Sequence, residues 1–135
     1  MHDFKRYPEL TNSQMVIYYW ESPHRQIQED FFGRVVKVHD GDTIKVQWSE
    51  REKPVTVRLA QIAAPELDEE GGIKSKEWLR NQIEDEYVQI KIDRKLRVGK
   101  WGRILGKVFF QGMDINEMSR EQGKAIRFGG KEQWL

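Results

Sequence analysis

The chain has 135 residues, 38% of them hydrophobic and 33% charged, with a formal net charge of +1. That length suits one domain with a core of its own, and the composition excludes disordered and fibrous classes. There is no cysteine, which removes disulfides, thiolate zinc sites and cysteine nucleophiles, and no apolar run nears the roughly 20 residues of a membrane span.

Residues 1–30 read as an N-terminal extension and 31–135 as the domain proper. The first ten residues carry Asp3, Lys5, Arg6 and Glu9 and no apolar h-region. They therefore do not form a signal peptide, and a cytoplasmic location is expected unless a leader has been removed, in which case secretion is. Met15 to Trp20 is an apolar-aromatic hexamer, expected as a strand or as a patch laid over the domain. His2 and His24 have no partners at metal-ligand spacing.

From Phe31 the pattern turns to strands. Val35 to His39 is rich in β-branched residues, and Asp40-Gly41 follows as a hairpin signal. Thr43 to Trp48 alternates, with Ile44, Val46 and Trp48 on one face. In Val55 to Leu59 the same alternation turns Thr56 and Arg58 away from Val55, Val57 and Leu59. An irregular stretch holds Ala63-Ala64-Pro65-Glu66, after which Lys74 to Asp85 reads as a helix through Leu79 and Ile83, with Trp78 beside them. Tyr87 to Asp93 alternates again, a basic loop leads into a fifth strand over Ile104 to Phe110, and Asp114 with Glu117 marks a capping-box-like helix start that Gly123 ends. Three strands, a helix, two strands and a helix are the parts of a five-stranded Greek-key barrel of the OB class. Other α+β folds share the count.

Charge is unevenly spread. Seven basic residues lie between Lys91 and Lys107 against Asp93 alone, while Glu66, Asp68, Glu69 and Glu70 form an unrelieved acidic run. A basic stretch containing Trp101 suits a polyanion, since cations neutralise phosphates and a ring stacks on bases. A solvated basic turn explains the same charges.

Four short blocks carry chemistry: Val38-His39-Asp40-Gly41-Asp42-Thr43, Val57-Arg58-Leu59 with Ala64-Pro65-Glu66, Lys100-Trp101-Gly102-Arg103, and Asn116-Glu117 with Gln122-Gly123-Lys124-Ala125. Each is weak alone. Together, in this order and from about Phe31 to Phe128, they closely resemble the staphylococcal (thermonuclease-like) nuclease family.

The resemblance implies an OB-fold barrel with two or more helices that hydrolyses DNA or RNA phosphodiesters with a calcium ion. On the matching positions, Asp42 is a metal carboxylate, Asp40 lies in the outer shell and Thr43 beside it. Arg58 and Arg103 hold the phosphate, Glu66 is the general base, and Lys100 with Trp101 lines the nucleotide site. The roles suit the residues: guanidiniums match phosphate geometry, a divalent cation polarises the phosphoryl group, and a carboxylate accepts the proton of water.

One position departs. The family's usual Asp before Ala/Thr-Pro-Glu, a direct metal ligand, is Ala63 here. The ligands left are Asp42, the backbone carbonyl of Ala64, and Glu66 through water. Calcium takes six to eight oxygens, several of them charged. The resemblance therefore implies a weakened calcium site, or preference for a smaller ion such as Mg²⁺ or Mn²⁺ that keeps its waters. Two functions follow: a metal-dependent nuclease of reduced activity, acting as a monomer on single-stranded DNA or RNA away from membranes, or an impaired module that binds single-stranded nucleic acid or a protein, as in Tudor-SN-type proteins. In the family a C-terminal helix packs beneath the barrel; little chain follows Gly123, so residues 1–30 are expected to supply that packing, with Met15–Trp20 helping to bury apolar surface.

Overall fold

The computed structural model describes residues 1–128. Its centre is a closed barrel of five strands: β1 Phe31–Asp40, β2 Thr43–Gln47, β3 Val55–Leu59, β5 Tyr87–Ile92 and β6 Ile104–Phe110. Around it lie α1 Asn12–Tyr18, α2 Gly72–Ile83, α3 Ile115–Glu121 and three short strands, β4 Ile62–Ala63, β7 Met113–Asp114 and β8 Ile126–Arg127. The α+β barrel expected from the strand pattern is the one observed.

β1 makes the barrel possible because it serves two neighbours. Phe31 to Arg34 pairs with β5, and Arg34 to Asp40 pairs with β2, with register shifts between Val35 and Lys37 and between Val38 and Asp40. Such irregularities bend a strand and increase its twist, which lets one strand turn between the two halves of a barrel. Closure comes from a parallel ladder in which Val57, Arg58 and Leu59 of β3 face Ile104, Leu105 and Gly106 of β6. Asn116 reinforces it: the Val108 N–H donates to its Oδ1 at 3.0 Å, and its Nδ2 donates to the carbonyls of Ala60 and Gly106 at 2.9 and 3.2 Å. A buried amide whose bonds are all made holds the seam without an unsatisfied group.

The alternating faces are as the sequence set them. Ile44, Val46, Val55, Val57, Leu59, Val88 and Ile90 point inward and are buried, joined from outside the barrel by Leu79 and Ile83 of α2. Each such side chain contributes ~1.5–3 kcal/mol by leaving water. The helix expected from Lys74 to Asp85 starts and ends two residues earlier. At α3, Asp114 accepts from the Glu117 N–H at 3.1 Å, but the Glu117 carboxylate reaches forward to Arg120 rather than back, so only half of the capping box forms.

The largest departure concerns Met15 to Trp20. It is neither strand nor cover: Thr11 and Gln14 form a full capping box that starts α1, and a 3₁₀ turn, Tyr19–Glu21, follows. Val16 and Trp20 are 87% and 80% exposed. A hexamer with apolar residues at every position has no period, so the helix cap at Thr11 decides the structure. The apolar packing supplied by residues 1–30 comes instead from Leu10 and Ile27, both fully buried. Beside them Glu9 and Arg51 form a buried bidentate ion pair, and Arg51 also donates to the Arg25 carbonyl at 2.9 Å. The expected shortening of the C-terminal helix after Gly123 falls in part on residues 129–135, outside the described residues.

Candidate active site

Asp42 lies in the two-residue loop between β1 and β2, and the register places Thr43 opposite Arg58 on β3. Strand alternation turns Arg58 out of the barrel wall, and its guanidinium comes within 3.4 Å of the Asp42 carboxylate. The same carboxylate accepts from the Ala64 N–H at 2.9 Å and from the Thr43 hydroxyl at 3.2 Å. Asp40 accepts from the Asp42 N–H at 3.0 Å. Arg58 also donates to the Leu59 carbonyl, so its fork is held from two sides.

Gly41 is indispensable to this loop, for a reason the hairpin signal did not express. Its φ is not left-handed; the requirement is space. A Cβ there would fall 2.0 Å from the Ser75 hydroxyl and 2.6 Å from the Ala64 Cβ. Ser75, buried on α2, donates to the Lys124 carbonyl at 2.8 Å. Helix α2, the Ala64 strand end and the Asp-Gly-Asp loop thus pack backbone to side chain, and that contact sets where Asp42 points.

Arg103 joins from the other side of the closing seam. It ends the 3₁₀ turn Lys100–Gly102 one residue before β6, and Leu105 of β6 pairs with Arg58. The Arg103 Nε donates to the Lys100 carbonyl at 3.1 Å. Burial lowers the pKa of this guanidinium and the charge of Arg58 lowers it further, while Asp42, Asp40 and Glu66 oppose the fall. Arg103 therefore feels the charge of Arg58 and of all three acids. Glu66 is exposed; its backbone N–H donates to the Glu69 carboxylate at 2.8 Å. Lys100 is exposed as well, and Trp101 is 75% exposed on a left-handed backbone (φ 63°). Of the positions singled out in the sequence, 40, 42, 43, 58 and 64 are in contact; Arg103 lies within reach of the charges of 40, 42, 58 and 66, and 100 and 101 are on the turn that precedes it.

Burial pushes the Asp42 carboxyl up to about 6; the charge of Arg58 pulls it down, and Asp40 adds to the rise. Two neighbouring acids in a partly desolvated loop form a donor set that a cation relieves. Ala63, on β4 opposite Ile126, brings no oxygen donor on its side chain. Among the described residues no cluster of three acids or histidines assembles. The residues fit a cation held by Asp42 and Asp40 and otherwise by carbonyls and water; they do not fit a calcium cage of three carboxylates.

Not every basic residue between Lys91 and Lys107 is available to a ligand. Arg97 is 3% exposed, and the Lys91 ammonium lies over the Phe109 ring at 4.3 Å. The histidines outside the site are structural: a ring nitrogen of His2 meets the Tyr7 carbonyl at 2.6 Å and one of His24 meets the Pro8 carbonyl at 2.9 Å. His39 is an exposed strand-end residue.

Comparisons with known proteins point to one family. Residues 56–133 match the model of the staphylococcal nuclease homologue family. An uncharacterized endonuclease of Escherichia coli is 37% identical over 97 residues, covering 71% of this chain and 60% of its own length. One from Haemophilus influenzae is 37% identical over 92 residues, 68% of this chain and 49% of its own. A micrococcal nuclease of Shigella flexneri is 36% identical over 113 residues, 76% of this chain and 62% of its own. The chain thus spans between about half and three fifths of the length of these relatives. A barrel closed at Arg58, two arginines and an acidic loop at one seam, and the family match over more than half of the sequence lead to one conclusion: the chain belongs to the staphylococcal nuclease homologue family.

Proposed function

We propose that this domain is a cation-assisted nuclease that hydrolyses phosphodiester bonds of single-stranded DNA or RNA as a monomer. The observation that carries the proposal is the Arg58–Asp42 pair at the β3–β6 seam, with Arg103 close enough to feel the charges of Arg58, Asp42, Asp40 and Glu66. A module that only bound nucleic acid would need the cations but not a carboxylate beside them, which repels phosphate.

Arg58 and Arg103 offer forked donors to the phosphoryl oxygens, where negative charge grows as the pentacoordinate state forms. Asp42 restrains Arg58 and, with Asp40, supplies the negative charge that would hold a hydrated divalent cation: magnesium, manganese or weakly bound calcium. When bound, that cation polarises the phosphoryl group. Glu66 accepts the proton of the attacking water as its oxygen bonds to phosphorus, and the bond to the leaving oxygen breaks, that oxygen taking a proton from solvent. A base of this kind contributes ~10²–10⁴-fold. Lys100 and Trp101 take the neighbouring phosphate and base of the strand.

The test is cleavage of single-stranded DNA and RNA across calcium, magnesium and manganese. Activity that stops with chelator and collapses in Arg58→Ala and Glu66→Gln supports the proposal; activity indifferent to both changes removes it. Ala63 and the exposure of Glu66 favour a second reading, a binding module. It requires salt-sensitive strand binding with no cleavage under any of these ions.

A further inference from the structure

We infer that Arg97 is a positioning residue, a buried clamp by which residues 1–30 fix the loop that presents Arg103; the inference rests on the nuclease reading for what that loop does. Arg97 sits six residues before Arg103, at the base of the loop. From there its Nη1 donates to the Leu10 carbonyl at 3.0 Å and to the Asn12 side-chain oxygen at 2.9 Å, and its Nε donates to the Ile27 carbonyl. Three acceptors on two separate stretches of the N-terminal segment thus converge on one guanidinium. The backbone of Arg97 is bound on the other side, its carbonyl accepting from the Leu105 N–H at 2.9 Å, and Val98 bridges to Ile104. The N-terminal segment is thereby tied through one side chain to the residues that flank Arg103.

Further contacts run the same way. The Asn12 amide nitrogen donates to the carbonyls of Arg94 and Lys95 at 3.0 and 2.9 Å. At the far end of the loop, the Tyr7 ring lies against Gly102, 3.2 Å from where a Cβ would stand. The loop is held at its start, its base and its tip by residues 7, 10, 12 and 27.

The physical cost of Arg97 argues that its place has a use. It is 97% buried by area, no carboxylate pairs with it among the described residues, and its Nη2 has no hydrogen-bond partner. Glu9, whose charge acts on it, is already paired with Arg51. An uncompensated buried cation is expensive, and an apolar residue of similar size fills such a place at lower cost. What the guanidinium gives in return is a rigid three-point fork that a methionine or leucine cannot supply. Rigidity matters at Arg103 because a phosphate ligand displaced by about 1 Å loses rate out of proportion to any lost stability.

The test joins hydrogen exchange to a double-mutant cycle in the full chain. Arg97→Met keeps the unbranched stem and removes the fork; Asn12→Ala, at an exposed position, loosens the same clamp without risk to the fold. Both are expected to speed amide exchange across residues 93–103 while the barrel strands keep their protection. Both are expected to lower kcat for strand cleavage, Arg97→Met by tenfold or more, and to lower it little further in an Arg103→Ala background. Unchanged exchange in the loop overturns the clamp, and fully additive rate losses overturn its action through Arg103. If the parent chain cleaves nothing, the nuclease reading fails by itself. The cycle is then read on affinity for a single-stranded oligonucleotide, where non-additivity supports the clamp and additivity overturns it.

Discussion

The Arg58 guanidinium stands 3.4 Å from the Asp42 carboxylate, and both side chains are nearly nine-tenths buried. An ion pair there has less water to screen it than one on an open surface, so each partner fixes the other. With Nη1 on the Leu59 carbonyl and Nη2 facing Asp42, the Arg58 fork is fixed at both ends, and the charge of this arginine reaches a second one, Arg103, across the seam. Arg58→Ala is expected to lower strand cleavage by about 10²-fold or more while leaving far-ultraviolet circular dichroism unchanged, and Arg58→Lys to recover only part, since an ammonium lacks the fork.

Asp42 should make the chain less stable at neutral pH than it need be. In the folded state its carboxyl titrates near 6, against about 3.8 for an ordinary aspartate. The folded form therefore holds this proton more tightly than the unfolded form, and stability falls as pH rises from about 4 through 6. Above 6 the penalty is complete, roughly 2–3 kcal/mol. In chelator, Asp42→Asn is expected to melt higher than the parent at pH 7.5, with the gain shrinking toward zero at pH 4. A gain that does not change with pH would show that the carboxylate charge is not its cause. The same variant should cleave nothing.

Gly41→Ala introduces one methyl group into a space already filled by Ser75 and Ala64. Forcing atoms into a packed site costs about 1–3 kcal/mol, and here the loop that must move carries Asp42. A lower melting temperature together with a loss of cleavage larger than that of Gly112→Ala, where the space around the glycine is open, is the expected result. Equal effects at the two glycines would show that steric crowding at the site is not the cause.

Ala63→Asp adds a carboxylate to a strand end that lies between Ile62 and the Ala64 N–H bound to Asp42. It should raise calcium affinity about tenfold or more, read by calorimetry without any substrate. If calcium binding is unchanged, position 63 does not face the cation.

Trp101 and Lys100 sit side by side and should separate on salt. Losing the ring in Trp101→Ala costs ~1–3 kcal/mol of strand affinity at every ionic strength. Lys100→Ala reduces the slope of log affinity against log salt by about 1. Fluorescence anisotropy with a labelled single strand measures both.

The barrel was legible because its signals are local and periodic. Alternation from Thr43 to Leu59 set the inward faces, and Ile44, Val46, Val57 and Leu59 all lie where it put them. The approach of positions 42, 58 and 103 is legible only through motifs in a fixed order, since no periodicity tells that β3 pairs with β6. In the N-terminal segment apolar content does not mean burial. Val16 and Trp20 are exposed, while Glu9, Gln26, Arg51 and Arg97, polar or charged, are buried. Arg97, one of the seven basic residues between Lys91 and Lys107, spends its donors on three protein oxygens. Burial of a charge depends on acceptors distant in sequence, and a reading of neighbours does not reveal them.

The ladder between β3 and β6 has a further consequence for how this molecule comes into being. Residues 58 and 105 are 47 positions apart and lie in register, so the phosphate seat comes into being only when the chain completes this long-range pairing. Hairpins such as β1–β2 form early because little entropy is lost in closing them, and a parallel contact of this range forms late. Recovery of catalysis during refolding would then report a late event of assembly, after the signals of the local hairpins have already returned.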